Sequence, residues 1–203
     1  MELDPLVKIA PLEIRYRINR AYAHVCAGQY ENAMADYLAA YQLNNKLETL
    51  AQYCHLAAYT GERKLLENTI PQMMRRARSN DDRASVLLVA SLLPNLVEDY
   101  APLLDIAADF SSDQLTNIYI RRAVGAIYLR SGDLSRASQV FRGTPTYNRR
   151  FSRIPLSTTF IFFALAEQAQ DNHPTAGQLV RIAQRAMNRL PGMETRKPGP
   201  AWF

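Results

Sequence analysis

Apolar and small residues recur at three- and four-residue spacing along most of the chain, the period of one buried face of an α-helix. The stretches from Leu12 to Ala27, Tyr30 to Leu43, Leu47 to Tyr59 and Leu115 to Arg130 all carry this pattern. Alternation of the strand type never persists for more than a few residues. Short glycine or polar breaks separate the helical stretches: Gly28-Gln29, Asn44-Asn45, Gly61-Glu62 and Gly132-Asp133. Links this brief predict antiparallel helical hairpins, because helices joined by only a few residues must fold back on each other.

Boundary signals refine these elements. Ser111 and Gln114 have capping-box spacing and predict a helix from about Ser112. Pro174 fits the first turn of the last helix, where a missing N–H costs nothing, and Pro102 fits a helix that begins near Asp99. Pro71 either opens a helix at Ile70 or kinks one running from Glu62 to Arg78. The adjacent carboxylates Asp81-Asp82 and Glu98-Asp99 suit helix starts better than acid–base chemistry. The run GTPTYNRRFSRIPL, Gly143 to Leu156, reads as a polar loop, and Pro191 to Phe203 as an extended tail.

The breaks are themselves periodic. Gly28 and Gly61 lie 33 residues apart, and Gly28 and Gly132 lie 104 apart, close to three times 34. That is the period of a helix–turn–helix repeat, whose pairs stack because none can bury its apolar face alone. Two runs place small and aromatic residues in matching order: Ala21, Gly28, Tyr30, Ala33, Tyr37, Ala40, and Gly125, Tyr128, Gly132, Ala137, Phe141. On these residues the chain resembles the tetratricopeptide (TPR) family. The resemblance implies an all-α fold, a right-handed superhelical array (α-solenoid) of about five antiparallel helix pairs. The pairs fall near 11–44, 46–78, 81–110, 112–142 and 157–190, in one domain over 1–190 with a basic inserted loop, 143–156, and a tail, 191–203. Arg17, Arg20 and His24 depart from the pattern, standing where the family's first helix has aromatic, apolar and tyrosine residues. The pair near 81–110 keeps almost none of the signature and has Pro94 in its turn.

In that family the first helices of successive pairs line a concave groove for a peptide or helix of another protein. Carried over position by position, the groove displays Arg15, Ile18, Tyr22 and Val25, then Glu48, His55 and Tyr59, then Tyr119, Arg122, Ala126 and Arg130. Tyrosine and arginine are frequent interface anchors, joining large contact area to a polar end. Ile18 and Tyr22 occupy the places of the lysine–asparagine pair that clamps acidic chaperone tails in some TPR domains, so that clamp is absent.

Charge adds a second surface. The net charge of +5 is unevenly spread: residues 1–110 hold 11 basic and 14 acidic side chains, residues 111–203 hold 13 and 5. The second part therefore points to an acidic partner. Arg142, Arg149, Arg150 and Arg153, interleaved with Tyr147 and Phe151, form a patch without acids, suited to an acidic protein segment or to RNA or single-stranded DNA. Arg181, Arg185 and Arg189 form one basic stripe opposite Leu179, Ile182, Ala183 and Ala186. The ratio of 20 arginines to four lysines fits composition bias rather than function. The apolar end PGPAWF and the run Phe160–Phe163 could cover an assembly neighbour or a second copy of the chain.

Reactive chemistry is sparse. Nucleophile-elbow, phosphate-loop, zinc-protease and dinucleotide motifs are all missing, and three histidines form no triad by spacing. Cys26 and Cys54 sit in apolar helical stretches and read as buried thiols of a reducing compartment. His24 and Cys26, two residues apart, point to different sides of a helix, against a metal site. No stretch reaches 18 uninterrupted apolar residues, and the start, MELDPLVKIAPLEIRYR, lacks the layout of a secretion signal. The expectation is a cytoplasmic, noncatalytic interaction module (an adaptor, chaperone or assembly subunit) that needs no cofactor or metal. The alternative is an RNA- or single-stranded-DNA-binding helical repeat using the basic C-terminal half.

Overall fold

The computed structural model of the chain describes residues 9–10, 12–143 and 153–188. These residues form ten α-helices and one 3-10 turn, with no strand among them. The chain divides into two compact units between Leu92 and Leu93.

The first unit contains α1 (Ile14–Cys26), α2 (Tyr30–Asn44), α3 (Leu47–Tyr59), α4 (Arg63–Arg76) and α5 (Asn80–Ala90). Each packs on its neighbour in sequence, and α5 also packs against α3. Ala21 and Val25 of α1, Ala33 and Tyr37 of α2 and Leu56 of α3 form one buried cluster, with Ile18, Tyr30, Met34 and Tyr53 around it. The small residues of the repeat signature are thus where helices approach closely, and its tyrosine fills the gap between hairpins.

The second unit contains α6 (Ala101–Ala108), a 3-10 turn (Gln114–Thr116), α7 (Ile118–Arg130), α8 (Leu134–Arg142), α9 (Arg153–Gln168) and α10 (His173–Asn188). Here α6 and α8 pack on α7, α9 packs against both α7 and α8, and α10 packs on α9. A Cβ placed on Gly125 of α7 would meet the Phe141 ring of α8 at 2.5 Å, so only glycine admits that crossing. In each unit neighbouring helices pack consecutively, an arrangement consistent with an α-solenoid.

The hairpin turns repeat one geometry. Gly28, Gly61 and Gly132 have φ of 75°, 86° and 86°, and Asp171 takes the equivalent place with φ 59°. Beyond the positive-φ residue, Gln29 N–H donates to His24 O (2.9 Å), Glu62 to Ala57 O (2.8 Å) and Asn172 to Glu167 O (2.9 Å). These bonds close a Schellman cap, which satisfies carbonyls the helix leaves open and turns the chain back.

Several boundaries differ from the sequence expectation. Ser111 N–H and hydroxyl do meet Gln114 Oε1, at 2.8 and 3.3 Å, but they close the turn that leads into Gln114–Thr116 and open no α-helix there. The helix itself starts at Ile118, where the Asn117 side chain accepts from Tyr119 N–H at 2.9 Å. Pro71 lies inside α4, the second of its two expected placements, and its ring faces solvent. Asp82 completes a reciprocal cap with Ser79, and Asp99 accepts from Ala101 N–H at 2.8 Å, so both acidic pairs serve helix starts. The division at Leu92 runs through the pair expected near 81–110: α5 belongs to the first unit and α6 to the second.

Candidate functional site

In the first unit α1 and α3 flank a cleft of about 490 Å³, with α2 at its base. Ile14 and Ile18 from α1 and Tyr37 from α2 supply apolar surface, and Glu13, Arg15, Lys46 and Glu48 supply charges of both signs. Asn44, Thr49 and Gln52 complete the lining.

Local backbone chemistry holds this shape. Asn45 ends α2 at φ 57°, a left-handed residue that asparagine tolerates better than most side chains. Asn44 Oδ1 accepts from Lys46 N–H at 2.9 Å, and its Nδ2 donates to Thr49 Oγ1 at 2.8 Å, which fixes the start of α3. From α4, the Arg76 guanidinium donates to the Asn45 carbonyl at 3.2 Å and to the Tyr41 hydroxyl. Three helices are thereby tied to the corner that forms the cleft's rim.

The departures from the repeat pattern on α1 have a common cause. Buried Asp36 of α2 accepts two hydrogen bonds from Arg20, and Arg17 and His24 lie 3.9 Å from its oxygens. His24 Nδ1 is also 2.6 Å from Gln29 Oε1 at the turn. A carboxylate inside a hairpin needs cationic partners, and Arg17 and Arg20 supply them.

The structure separates the expected groove residues. Arg15, Ile18 and Glu48 line the cleft, where Arg15 is exposed and 3.4 Å from the Glu13 carboxylate. Tyr22, His55 and Tyr59 do not line it. Tyr22 is exposed, and His55 turns Nδ1 to the Ala51 carbonyl at 2.6 Å. Tyr59 meets the Tyr30 ring edge-on at 4.9 Å, and the Tyr59 hydroxyl, with some burial, pushes the Tyr30 phenol above its ordinary value. Val25 and Ala126, expected on display, are core residues; Val25 packs in the cluster that joins α1 and α2.

In the second unit Tyr119 is exposed and Arg122 lies over its ring at 5.9 Å. Burial lowers the Arg122 pKa to about 10, with nearby Tyr119 opposing the shift. Burial lowers that of Arg130 too, with Tyr100 opposing. Arg142 is exposed and 3.8 Å from the buried Glu167 carboxylate. Tyr147, Arg149, Arg150 and Phe151 lie outside the described residues, as does the side chain of Arg153, the first residue of α9.

Sequence reasoning missed Tyr37, Asn44, Lys46, Thr49 and Gln52 as cleft residues, and Asp36 and Glu167 as buried acids. An acid amid small apolar residues in α2 was the available signal for Asp36. One thiol also departs from expectation: Cys54 is buried and pushed up to about 12 by that burial, but Cys26 is exposed, while its neighbour Val25 takes the buried side of the last turn of α1. Among the described residues no group of three or more His, Cys, Asp or Glu is placed to hold a metal ion, and no helix is long and apolar enough to cross a membrane.

No protein-family model matches the chain, and no curated protein matches it either.

Proposed function

We propose that this protein is a noncatalytic interaction module, an adaptor, chaperone or assembly subunit built as a TPR-like right-handed superhelix. It holds a peptide or helix of a partner protein against its first helices. The cleft between α1 and α3 carries this reading, because it joins apolar floor residues to a charged rim on the helices that the repeat resemblance assigns to the groove. Such a mixture gives a side chain a pocket and its backbone hydrogen-bonding partners, without a group activated for catalysis. Its two cysteines, both free thiols, fit the cytoplasm.

The test is a photo-crosslinking amino acid in place of Gln52, in the cleft, or Glu31, exposed on α2 and outside it. The reading expects a protein adduct from Gln52 that survives nuclease and is absent from Glu31. Equal labelling at both positions overturns it, and an adduct that nuclease removes favours the nucleic-acid alternative.

A further inference from the structure

The cleft is one end of a longer groove. Both α1 and α3 start beside it. At the other end Tyr30, the first residue of α2 after the turn, meets Tyr59 of α3 edge-on at 4.9 Å, so α1 and α3 run the same way over α2. At about 100° per residue, Tyr22 falls within about 20° of the cleft residue Arg15, and Tyr59 within about 20° of Gln52. Each lies two helical turns, about 10.5 Å, further along its helix. Tyr22 also neighbours the floor: burial raises the Tyr37 pKa, and nearby Tyr22 and Cys26 add to the rise. The walls thus continue past the cleft to two exposed rings, Tyr22 at 59% and Tyr59 at 41%.

The two ends differ in charge. Glu13, Arg15, Lys46 and Glu48 line the cleft, but Ala21 to Tyr30 and Thr49 to Gly61 contain no Lys, Arg, Asp or Glu. An occupant of the far end is therefore held by ring faces rather than by ion pairs.

Backbone chemistry narrows the choice further. Both walls are helices whose main-chain groups bond within the helix, so an extended ligand finds no strand edge to pair with. Proline brings no N–H that would need one, and a polyproline II segment leaves its carbonyls pointing outward, toward wall donors such as Gln52 and Lys46. An α-helical ligand bonds its carbonyls along its own axis and offers these donors no backbone acceptor. Aromatic-lined grooves are also the kind that hold proline-rich segments. The repeat fits: one polyproline II turn of three residues advances about 9.3 Å, close to the about 10.5 Å from Gln52 to Tyr59.

We infer that the groove from Ile18 and Gln52 to Tyr22 and Tyr59 takes a proline-rich segment of a partner protein in the polyproline II conformation. Prolines three residues apart meet the cleft and the ring pair in turn. The inference rests on the interaction-module reading of the cleft and names the chemistry of its ligand.

The experiment selects a random peptide-display library on the full chain. Selected peptides are then measured on the unaltered protein and on Tyr22→Ala, Tyr22→Phe and Gln52→Arg. The expected peptides carry prolines at three-residue spacing and lose at least about tenfold in affinity when those prolines become alanine. They lose as much on Tyr22→Ala and on Gln52→Arg, and bind Tyr22→Phe, which keeps the ring, nearly as well as the unaltered protein. Both positions are exposed on their helices, and circular dichroism melts check the fold of each variant. Should one melt early, the photo-crosslinking residue at position 52 locates the selected peptide instead. Peptides without proline enrichment that depend on Gln52 overturn this inference and leave the cleft reading standing. Proline-rich peptides that respond to only one of the two positions overturn the continuous groove, and equal losses on Tyr22→Phe and Tyr22→Ala overturn the ring contact. Peptides indifferent to both positions, or a library that yields none, overturn both readings.

Discussion

Arg20 of α1 grips Asp36 of α2 through two parallel hydrogen bonds, Nε to Oδ2 at 2.7 Å and Nη2 to Oδ1 at 2.6 Å, with the carboxylate buried inside the first hairpin. Two-point contact fixes the guanidinium plane as well as the distance, so the pair sets how the two helices meet. Removing one partner strands the other. We expect Asp36→Asn to lower stability by about 3 kcal/mol, and Arg20→Leu with Asp36→Leu to recover most of it. Urea denaturation of the single and double variants checks both; equal losses would mean that hairpin packing, not the pair, is what each change disturbs.

The Gly125–Phe141 crossing makes a second prediction. Gly125→Leu, or Ala137→Leu in the facing helix, forces the rings and helices apart and should cost about 1–3 kcal/mol. Phe141→Leu should relieve part of the Gly125 penalty, so a double-mutant cycle should show coupling. Melting like the unaltered protein would place Gly125 outside the interface.

Asp82 gives a pH dependence. Burial alone raises its pKa, but the backbone N–H groups of Ser79 and Arg78, the Ser79 hydroxyl and the charge of Arg76 outweigh it, and the folded value lies below the ordinary 3.8. A lowered acid stabilises the fold above its unfolded value and loses that effect as pH falls through 3.8 and below. Asp82→Ala should cost about 1 kcal/mol near neutrality and leave a shallower decline of stability below pH 4. Parallel acid titrations of thermal midpoint for the two proteins test this.

The two thiols should differ in reactivity. With Cys54 buried and held protonated up to about 12, a thiol reagent at mildly alkaline pH should label Cys26 and spare Cys54 in the native protein. Denaturant should expose the second site. Rapid labelling of both in the native state would show that the core around Cys54 opens readily.

Tyr22 and Tyr59 separate packing from display. Tyr59 meets Tyr30 edge-on, so Tyr59→Ala should cost about 1 kcal/mol beyond its lost area. Tyr22 is 59% exposed, and Tyr22→Ala should leave the thermal midpoint nearly unchanged. Thermal melts followed by circular dichroism distinguish the two.

Helical periodicity and glycine spacing determined the elements and the turns of this protein, because both depend on interactions within a few residues of the chain. The Schellman caps at Gly28 and Gly61 and the close crossing at Gly125 were legible for that reason: the positive φ of each cap favours glycine, and the crossing leaves no room for a Cβ. The cleft was only half legible. Arg15, Ile18 and Glu48 follow from the resemblance to the TPR repeat, but Tyr37, Lys46 and Gln52 join them only because three helices meet at the Asn45 corner, where Arg76 reaches across 31 residues of sequence. Arg20 and Asp36, 16 residues apart, likewise read as two unrelated charges until the hairpin closes. Which side chains become core and which remain on display, Val25 and Ala126 against Ile161 and Leu165, was decided by tertiary packing: burial depends on the neighbour that covers a face, and local pattern does not specify that neighbour.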